Sequence, residues 1–181
     1  MPKIFYTGFG DKGDTALGKD RVRKDNDVIS AIGNIDELNS ELGVAMQNVS
    51  DERISKQLAY MQNKLFTVGA ELASLMDKRF LPRKPIGSED VKQLEIGIEE
   101  LGAMVPELKK FVLPGGPYGA AYLDRARTVA RRAERSIVGL TKKYEISPEM
   151  LVYMNRMSSV LFVLARYINK KEGVEELHPE Y

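Results

Sequence analysis

The stretch "ISKQLAYMQNKLFTVGAELASL", from Ile54 to Leu75, decides the fold class of this chain. Its apolar residues recur in alternating steps of four and three, which is the spacing of one face of an α-helix. The stripe consists of Ile54, Leu58, Met61, Leu65, Val68, Leu72 and Leu75. A stripe sustained over about three heptads predicts a long amphipathic helix that packs against other helices.

The segments on either side of this stretch show the same helical periodicity. The predicted helices cover residues 28–46, 54–75, 88–105, 118–144 and 148–172. Ser88 and Ser147 are N-cap residues in this prediction, and Pro148 suits the first helical position. No segment alternates convincingly as a strand. The sequence therefore predicts an all-α protein, a five-helix antiparallel bundle, with residues 1–181 forming a single domain.

The composition excludes several classes of function. The chain has no cysteine and a single histidine, His178, so disulfides, thiolate zinc sites, cysteine nucleophiles and histidine-based triads are excluded. No helix carries the Glu-x-x-His motifs of a di-iron centre. A net charge of +1 gives no reason to expect nucleic acid or a membrane surface as a partner. The sequence shows no membrane-spanning stretch and no secretory signal, so we expect a cytoplasmic protein.

The N-terminal stretch "GFGDKGDTALGKD", from Gly8 to Asp20, contains two phosphate-loop patterns. A dinucleotide fingerprint needs a βαβ unit, and a P-loop needs a hydroxyl where Asp20 stands, so neither pattern fits a helical chain. The glycines still let backbone N–H groups approach an anion, and the neighbouring lysines and arginines add positive charge. Residues 1–25 are therefore predicted to form a glycine-rich phosphate-binding segment, with a mobile, ordinarily charged leader as the alternative.

The fourth predicted helix carries arginines on the side opposite its apolar stripe. Arg127, Arg131 and Glu134 lie within about 60° of one another around the helix axis, and Arg135 lies at the edge of that sector. Because the stripe must face the core, these side chains point to solvent or to another subunit. A solvated face with i,i+4 pairs is one interpretation, and a site for a polyphosphate or for a partner's carboxylates is the other. On the fifth helix, Asn155 lies beside the core face, where an amide can orient a phosphate or a ribose.

Seven motifs extend in order over most of the chain. They are "YTGFGDKGDTAL" (6–17), "RVRKD" (21–25), "GNIDELNSELGVA" (33–45), "LFTVGAELA" (65–73), "FVLPGG" (111–116), "ARTVARRAER" (126–135) and "YMNRMSSVLFVLAR" (153–166). Together they closely resemble the PduO-type ATP:cob(I)alamin adenosyltransferases. The resemblance implies a homotrimer of five-helix bundles with its active sites between subunits. It also implies transfer of the 5′-deoxyadenosyl group from ATP to cob(I)alamin, with Mg²⁺ bridging the phosphate oxygens and triphosphate as the product.

The same resemblance assigns roles to individual residues. By similarity the ATP phosphates are held by Thr7, Gly8, Gly10, Lys12, Gly13, Thr15 and Lys24, and the nucleotide by Arg131, Glu134, Arg135 and Asn155. Asp36 and Arg127 match a pair that forms a salt bridge across the subunit interface. Phe111 matches the aromatic residue that closes the lower face of cobalamin and keeps its dimethylbenzimidazole off the cobalt. Cob(I)alamin is itself a strong nucleophile, so the implied reaction requires no protein base.

Three features of the sequence depart from the family pattern. Phe9 stands where threonine is usual, Ser159 stands where aspartate is common, and the stretch 14–24 is about one residue short. The departures at Phe9 and Ser159 motivate the alternative of a non-catalytic nucleotide- or cobalamin-binding module, such as a sensor or a delivery partner. For the enzyme, the expected partners beyond the homotrimer are a reductase and a cobalamin-dependent mutase.

Overall fold

A computed structural model of the protein describes Gly8 and residues 10–180. This part of the chain contains a short hairpin followed by the five expected helices. The strands and helices are β1 (Asp14–Leu17), β2 (Asp20–Arg23), α1 (Asp27–Gln47), α2 (Glu52–Ser74), α3 (Ser88–Gly102), α4 (Tyr118–Leu140) and α5 (Pro148–Lys171). A single 3-10 turn, Lys78–Phe80, follows α2. The five-helix antiparallel bundle predicted from the sequence is confirmed.

The predicted apolar stripes form the core of the bundle. The stripe of α2 is fully buried from Ile54 to Leu72, as the four-and-three spacing predicts. α1 packs against α2 and α4, and α5 packs against α3 and α4. On α4 the stripe is buried from Ala126 to Leu140, while Tyr122 is half-buried at its start. Among the described helices, none combines the length with the apolar character that crossing a membrane requires.

Two helix starts test the capping predictions. Ser147 caps α5 by accepting a hydrogen bond from the Met150 N–H at 3.2 Å, and Pro148 is the first helical residue, as predicted. The prediction for α3 was wrong by one residue, because Gly87 occupies the cap and Ser88 begins the helix. The Gly87 N–H donates to the Asp90 carboxylate at 3.1 Å, which is the bond that the N3 residue makes in a capping box, while glycine has no side chain to make the reciprocal one.

Two helices end earlier than the periodicity predicts. α3 ends at Gly102 rather than near Val105, and α4 ends at Leu140 rather than near Tyr144. After α4 the chain tightens, because the N–H groups of Lys143 and Tyr144 both donate to the Leu140 carbonyl at 2.9 Å. Apolar residues continue past both ends, so periodicity alone could not locate them.

The absence of strands, expected from the sequence, is wrong for the glycine-rich segment. β1 and β2 pair antiparallel in the register Asp14 with Arg23 through Leu17 with Asp20. Gly18 and Lys19 form the two-residue turn, and Gly18 has a φ of 66°, as a hairpin with glycine in the first turn position requires. Strands of four residues are too short for their alternation to stand out in the sequence.

A buried polar cluster fastens α3 to α2. Lys64 on α2 forms an ion pair with Asp90 at 2.6 Å, and the Tyr60 hydroxyl donates to the same carboxylate at 2.9 Å. Burial would raise the pKa of Asp90, but the hydrogen bonds from Lys64, the Gly87 N–H and Tyr60 outweigh it, and the net pKa is lowered. Nearby, the Ile86 N–H donates to Glu71 at 2.7 Å. The N-terminus of α3 is thus held by charged groups that water barely reaches.

Replacing Asp90 with asparagine is expected to lower the free energy of unfolding by about 3–5 kcal/mol at pH 7, because Lys64 is left charged and largely buried. A carboxyl whose pKa falls on folding stabilises the protein above its unfolded pKa, and this contribution disappears as the pH falls through the folded value. The difference between the wild type and the Asp90→Asn variant should therefore shrink below about pH 4. Urea unfolding at pH 7 and at pH 3.5 measures both effects.

The double variant Asp90→Asn with Lys64→Met provides the control, since it removes both charges and should recover part of the lost stability. A difference between wild type and Asp90→Asn that stays constant with pH would show that Asp90 does not contribute as a carboxylate.

Candidate functional site

The bundle carries a cavity of about 350 Å³ where α4, α5 and the connection before α4 meet. It is lined by Leu108, Phe111, Val112, Arg127, Arg131, Ser158, Ser159 and Phe162. The helical residues come from the edges of the α4 and α5 stripes, so the packing of the core fixes their positions. The lining combines two arginines of α4 with apolar side chains of the connection and of α5. Such a lining suits a ligand with an anionic part and a large apolar part.

Arg131 is an exposed cation at this cavity. Its guanidinium forms no ion pair with any residue in the described part of the chain. The adjacent Arg132 instead turns toward α1, where it forms an ion pair with Glu37 at 2.5 Å and donates to Asn34 at 3.0 Å. Two neighbouring arginines therefore differ in role: the charge of Arg132 is satisfied within the chain, and that of Arg131 remains available to a ligand.

Three further predicted site residues lie close to Arg131. Arg135 donates to the Arg131 carbonyl at 3.2 Å, one turn along α4. The Asn155 amide on α5 donates to Glu134 at 2.9 Å, which bridges the two helices. Arg131, Glu134 and Arg135 thus share one side of α4, as the helical spacing predicts, and the hydrogen bond from Asn155 to Glu134 links this side to α5.

Arg127 lines the same cavity and is less exposed than Arg131. It forms an ion pair with Asp124 at 3.0 Å, and its Cζ lies 5.9 Å from the centre of the Phe162 ring. Arg166 lies 5.8 Å from the same ring, so Phe162 contacts two guanidinium groups. Both distances are within the range of cation–π attraction, which favours this position of the ring.

Asp36 lies on a different face of the chain, on α1. It lines a groove of about 410 Å³ together with Asn39, Ser40, Gln62, Asn63 and Phe66. Phe66, on α2, is 73% exposed although it belongs to an otherwise well-packed helix. Asp36 and Arg127 line different cavities, so the structure does not bring them together within one chain.

The glycine-rich segment is ordered by bonds within itself. The Lys24 ammonium donates to the Gly10 carbonyl at 3.0 Å, and the Lys24 N–H donates to the Gly13 carbonyl at 2.9 Å. Gly8 and Gly13 have φ values of 70° and 84°, which only glycine adopts readily. Lys12 is exposed beside this turn, and Thr15 is the second residue of β1, opposite Val22. Thr7, the remaining predicted phosphate ligand, lies outside the described residues.

Phe111 lies in the connection between α3 and α4, with its ring 74% exposed. It lines the α4–α5 cavity and also a second cavity of about 550 Å³, shared with Leu108, Lys109, Lys110 and Pro179. An exposed aromatic ring between two cavities has no role in the core, which is consistent with contact to a ligand.

Sequence reasoning missed the contribution of the C-terminal segment to this region. His178 Nδ1 donates to the Phe111 carbonyl at 2.8 Å, and the Leu113 N–H donates to the Leu177 carbonyl at 2.8 Å. Arg166 is buried, and it binds both Glu176 at 2.6 Å and the Pro106 carbonyl at 3.0 Å. The one available signal was Arg166 itself, a charged residue at the edge of an apolar stripe.

Within the described residues, no group of three or more histidine, cysteine or acidic side chains is arranged to hold a metal ion. A divalent cation that accompanies a nucleotide would therefore take its ligands mainly from phosphate oxygens and water, as Mg²⁺ commonly does.

Comparison with known proteins identifies the family. Residues 5–168 match the cobalamin adenosyltransferase family. The chain is 40% identical to the corrinoid adenosyltransferase of Bacillus subtilis (strain 168), over 97% of this chain and 91% of the relative. It is 39% identical to a corrinoid adenosyltransferase of Citrobacter freundii, over 97% and 96%.

A solved structure agrees with this assignment. It is a variant of the PduO-type ATP:corrinoid adenosyltransferase from Lactobacillus reuteri, complexed with cobalamin and ATP. Its TM-score with the present fold is 0.90 at 35% sequence identity, covering 98% of this chain and 97% of the other. Sequence, motif order and fold thus agree, and the chain belongs to the cobalamin adenosyltransferase family.

Proposed function

We propose that this protein transfers the 5′-deoxyadenosyl group of ATP to cob(I)alamin and releases triphosphate. The observation that carries the proposal is that a single cavity is lined both by the Arg131 guanidinium, which has no ion-pair partner among the described residues, and by the exposed Phe111 side chain. The cobalt(I) electron pair forms the bond to the ribose C5′, the C5′–O bond breaks, and its electron pair leaves on the triphosphate. Cobalt(I) is formally oxidised to cobalt(III) by the alkylation itself, in which ATP is the electrophile. No external oxidant is therefore needed.

In this proposal the protein contributes binding, orientation and charge. Arg131 and Arg135 neutralise the triphosphate as negative charge develops on it, and the Glu134–Asn155 pair orients the nucleoside. The turn of Gly8, Gly10 and Gly13, with Lys12, Lys24, Thr7 and Thr15, holds the phosphates and their Mg²⁺. Phe111 covers the lower face of the corrin and excludes the axial base.

We further propose that the site is completed by a second copy of the chain in a homotrimer. Two observations support this. The α4–α5 cavity and the Asp36 groove lie on different faces of one chain, and Phe66 exposes most of its ring in that groove. A contact between two different surfaces of the same chain is heterologous. Such contacts close into a ring when the rotation that relates successive subunits is a whole fraction of a turn. Asp36 of one copy would then approach Arg127 of the next.

Reversing the charge of Asp36 tests this assembly. The Asp36→Arg variant should weaken subunit association by roughly 2 kcal/mol, about 30-fold in the dissociation constant, because the new guanidinium faces Arg127. Adding Arg127→Glu should restore association. Sedimentation velocity over a dilution series measures the effect, and Ser30→Arg on the exposed side of α1 is the matched control. Loss of association in the control, or no rescue in the double variant, would contradict an Asp36–Arg127 contact.

The cell compartment and the partners are also proposals. Cob(I)alamin survives only under reducing conditions, so we propose that the protein works in the cytoplasm beside a reductase. A chain without cysteine is compatible with this compartment. A cobalamin-dependent mutase would consume the product.

A non-catalytic nucleotide- or cobalamin-binding module is the second candidate. Ser159 favours it, because this residue lines the cavity where the family commonly has aspartate. Such a module would bind ATP without transferring the adenosyl group.

A spectral assay separates the two candidates. ATP, Mg²⁺ and chemically reduced cobalamin mixed with the protein should give the spectrum of adenosylcobalamin, while titration calorimetry reports ATP binding in parallel. ATP binding without a spectral change beyond the protein-free mixture would favour the module. The absence of both ATP binding and the spectral change would reject both candidates.

A further inference from the structure

The tip of the β1–β2 hairpin rests on the 3-10 turn that follows α2. A Cβ atom added at Gly18 would overlap the Asp77 carboxylate and lie 2.7 Å from Arg79 Nη2. The Asp77 side chain is only 12% exposed. The Gly18 backbone therefore lies so close to this carboxylate that any side chain at position 18 would displace it, besides straining a backbone with a φ of 66°.

Asp77 is itself held firmly in place. It caps the 3-10 turn by accepting a hydrogen bond from the Arg79 N–H at 3.0 Å, and Arg79 Nε donates to both carboxylate oxygens at 2.9 and 3.0 Å. Hydrogen bonding from Arg79 lowers the pKa of Asp77, so the carboxylate remains charged. The hairpin tip thus contacts a fixed group on the end of a core helix.

The opposite end of the hairpin carries the glycine-rich turn. Lys24 follows β2 directly and binds Gly10 and Gly13, while Asn26 caps α1 two residues later. Strands of four residues at about 3.3 Å per residue place the tip roughly 13 Å from this turn. A hairpin attached only at α1 could swing about residues 25–26. A second contact at the tip removes that freedom and sets the direction in which the turn points.

We propose that Gly18, Asp77 and Arg79 form a tip anchor that positions the glycine-rich turn for the phosphates of ATP. These three are positioning residues, since they act through the hairpin and lie at its far end from the turn. The inference rests on the proposed phosphate-binding role of Gly10, Gly13 and Lys24, and it assigns a function to the third positive-φ glycine of the segment. Binding energy lost to a misplaced loop appears in ATP affinity rather than in the cobalamin half of the site.

The test uses the full-length protein with Gly18→Ala and Asp77→Ala. Both variants should raise the KM for ATP roughly 10- to 100-fold, because a small displacement of a binding group has effects of that size. The KM for cobalamin should stay near the wild-type value, and the loss of melting temperature in Gly18→Ala should be comparable to that in Gly173→Ala, which carries the same left-handed strain. Hydrogen–deuterium exchange without ligands should become faster in residues 14–24 and remain unchanged in α2.

Two controls make the result specific. Gly173→Ala introduces the same left-handed strain, at a φ of 69°, where nothing lies within 4 Å of the added Cβ, so its KM for ATP should not change. The double variant Gly18→Ala with Asp77→Ala should be no worse than the more severe single variant, because both remove the same contact.

Each outcome decides the inference. Faster exchange with an unchanged KM for ATP, or additive effects in the double variant, would overturn the positioning role. Unchanged exchange in Asp77→Ala would refute the anchor itself, and this variant carries the test if Gly18→Ala does not fold. A wild-type protein that binds no ATP would instead refute the proposed role of the glycine-rich turn, whatever the exchange shows.

Discussion

Replacing Arg131 with alanine is expected to reduce the turnover rate by about 10²–10³-fold, equivalent to roughly 3–4 kcal/mol of transition-state stabilisation. Arg131 is exposed at the mouth of the α4–α5 cavity and has no ion-pair partner among the described residues. Its charge is therefore available to the triphosphate, which becomes more negative as the C5′–O bond breaks. Because the interaction strengthens in the transition state, kcat should fall more than the affinity for ATP.

The neighbouring Arg132 supplies a matched control. It has the same side chain on the same helix, but it is paired with Glu37 and Asn34 of its own chain. Arg132→Ala should leave kcat almost unchanged and alter stability by about 0.5 kcal/mol or less, as exposed ion pairs usually do. Steady-state rates of adenosylcobalamin formation at saturating ATP compare the two variants. Equal losses would point to general electrostatics rather than a specific contact, and a near-normal Arg131→Ala would remove this residue from the role.

The Arg131→Lys variant separates charge from geometry. Lysine keeps the positive charge but loses the planar fork that binds two phosphate oxygens at once. Activity between the wild type and the alanine variant is expected, and full activity would show that charge alone is sufficient.

The helices of the fold could be predicted from the sequence because their stripes are regular. In α2, a position every three or four residues from Ile54 to Leu72 is fully buried, so a local pattern reports directly on tertiary packing. The cluster of Arg131, Glu134 and Arg135 followed from the same geometry, since their relative angle is fixed once the helix exists.

Other features could not be predicted because they depend on contacts between distant parts of the chain. The hairpin contains only four residues per strand, and its tip depends on Asp77, far along the sequence. The link between Arg166 and Glu176 joins α5 to a segment with no periodicity of its own. The resemblance to the family assigns Asp36 to a subunit interface. The structure of a single chain shows only that Asp36 lines a groove beside Phe66.

Replacing Phe111 with alanine is expected to damage the cobalamin half of the reaction selectively. The ring is 74% exposed, so its removal leaves the core intact and the melting temperature should not change. If the corrin covers this ring, the variant loses up to about 3 kcal/mol of apolar burial, which corresponds to roughly 150-fold in the KM for cobalamin. The affinity for ATP should remain that of the wild type, because Phe111 and the glycine-rich turn bind different substrates in the proposed site.

The loss should be greatest when the reaction starts from cob(II)alamin. Without the ring, the dimethylbenzimidazole can return to the cobalt, and electron paramagnetic resonance of the enzyme with cob(II)alamin and ATP should then show the axial nitrogen. Tyr118→Ala is the matched control, since this ring is 78% exposed but does not line the cavity. A Phe111→Ala variant with normal cobalamin kinetics and an unchanged resonance spectrum would reduce Phe111 to an exposed residue of the connection. If it loses activity equally from cob(I)alamin and cob(II)alamin, the ring binds the corrin without controlling its axial ligand.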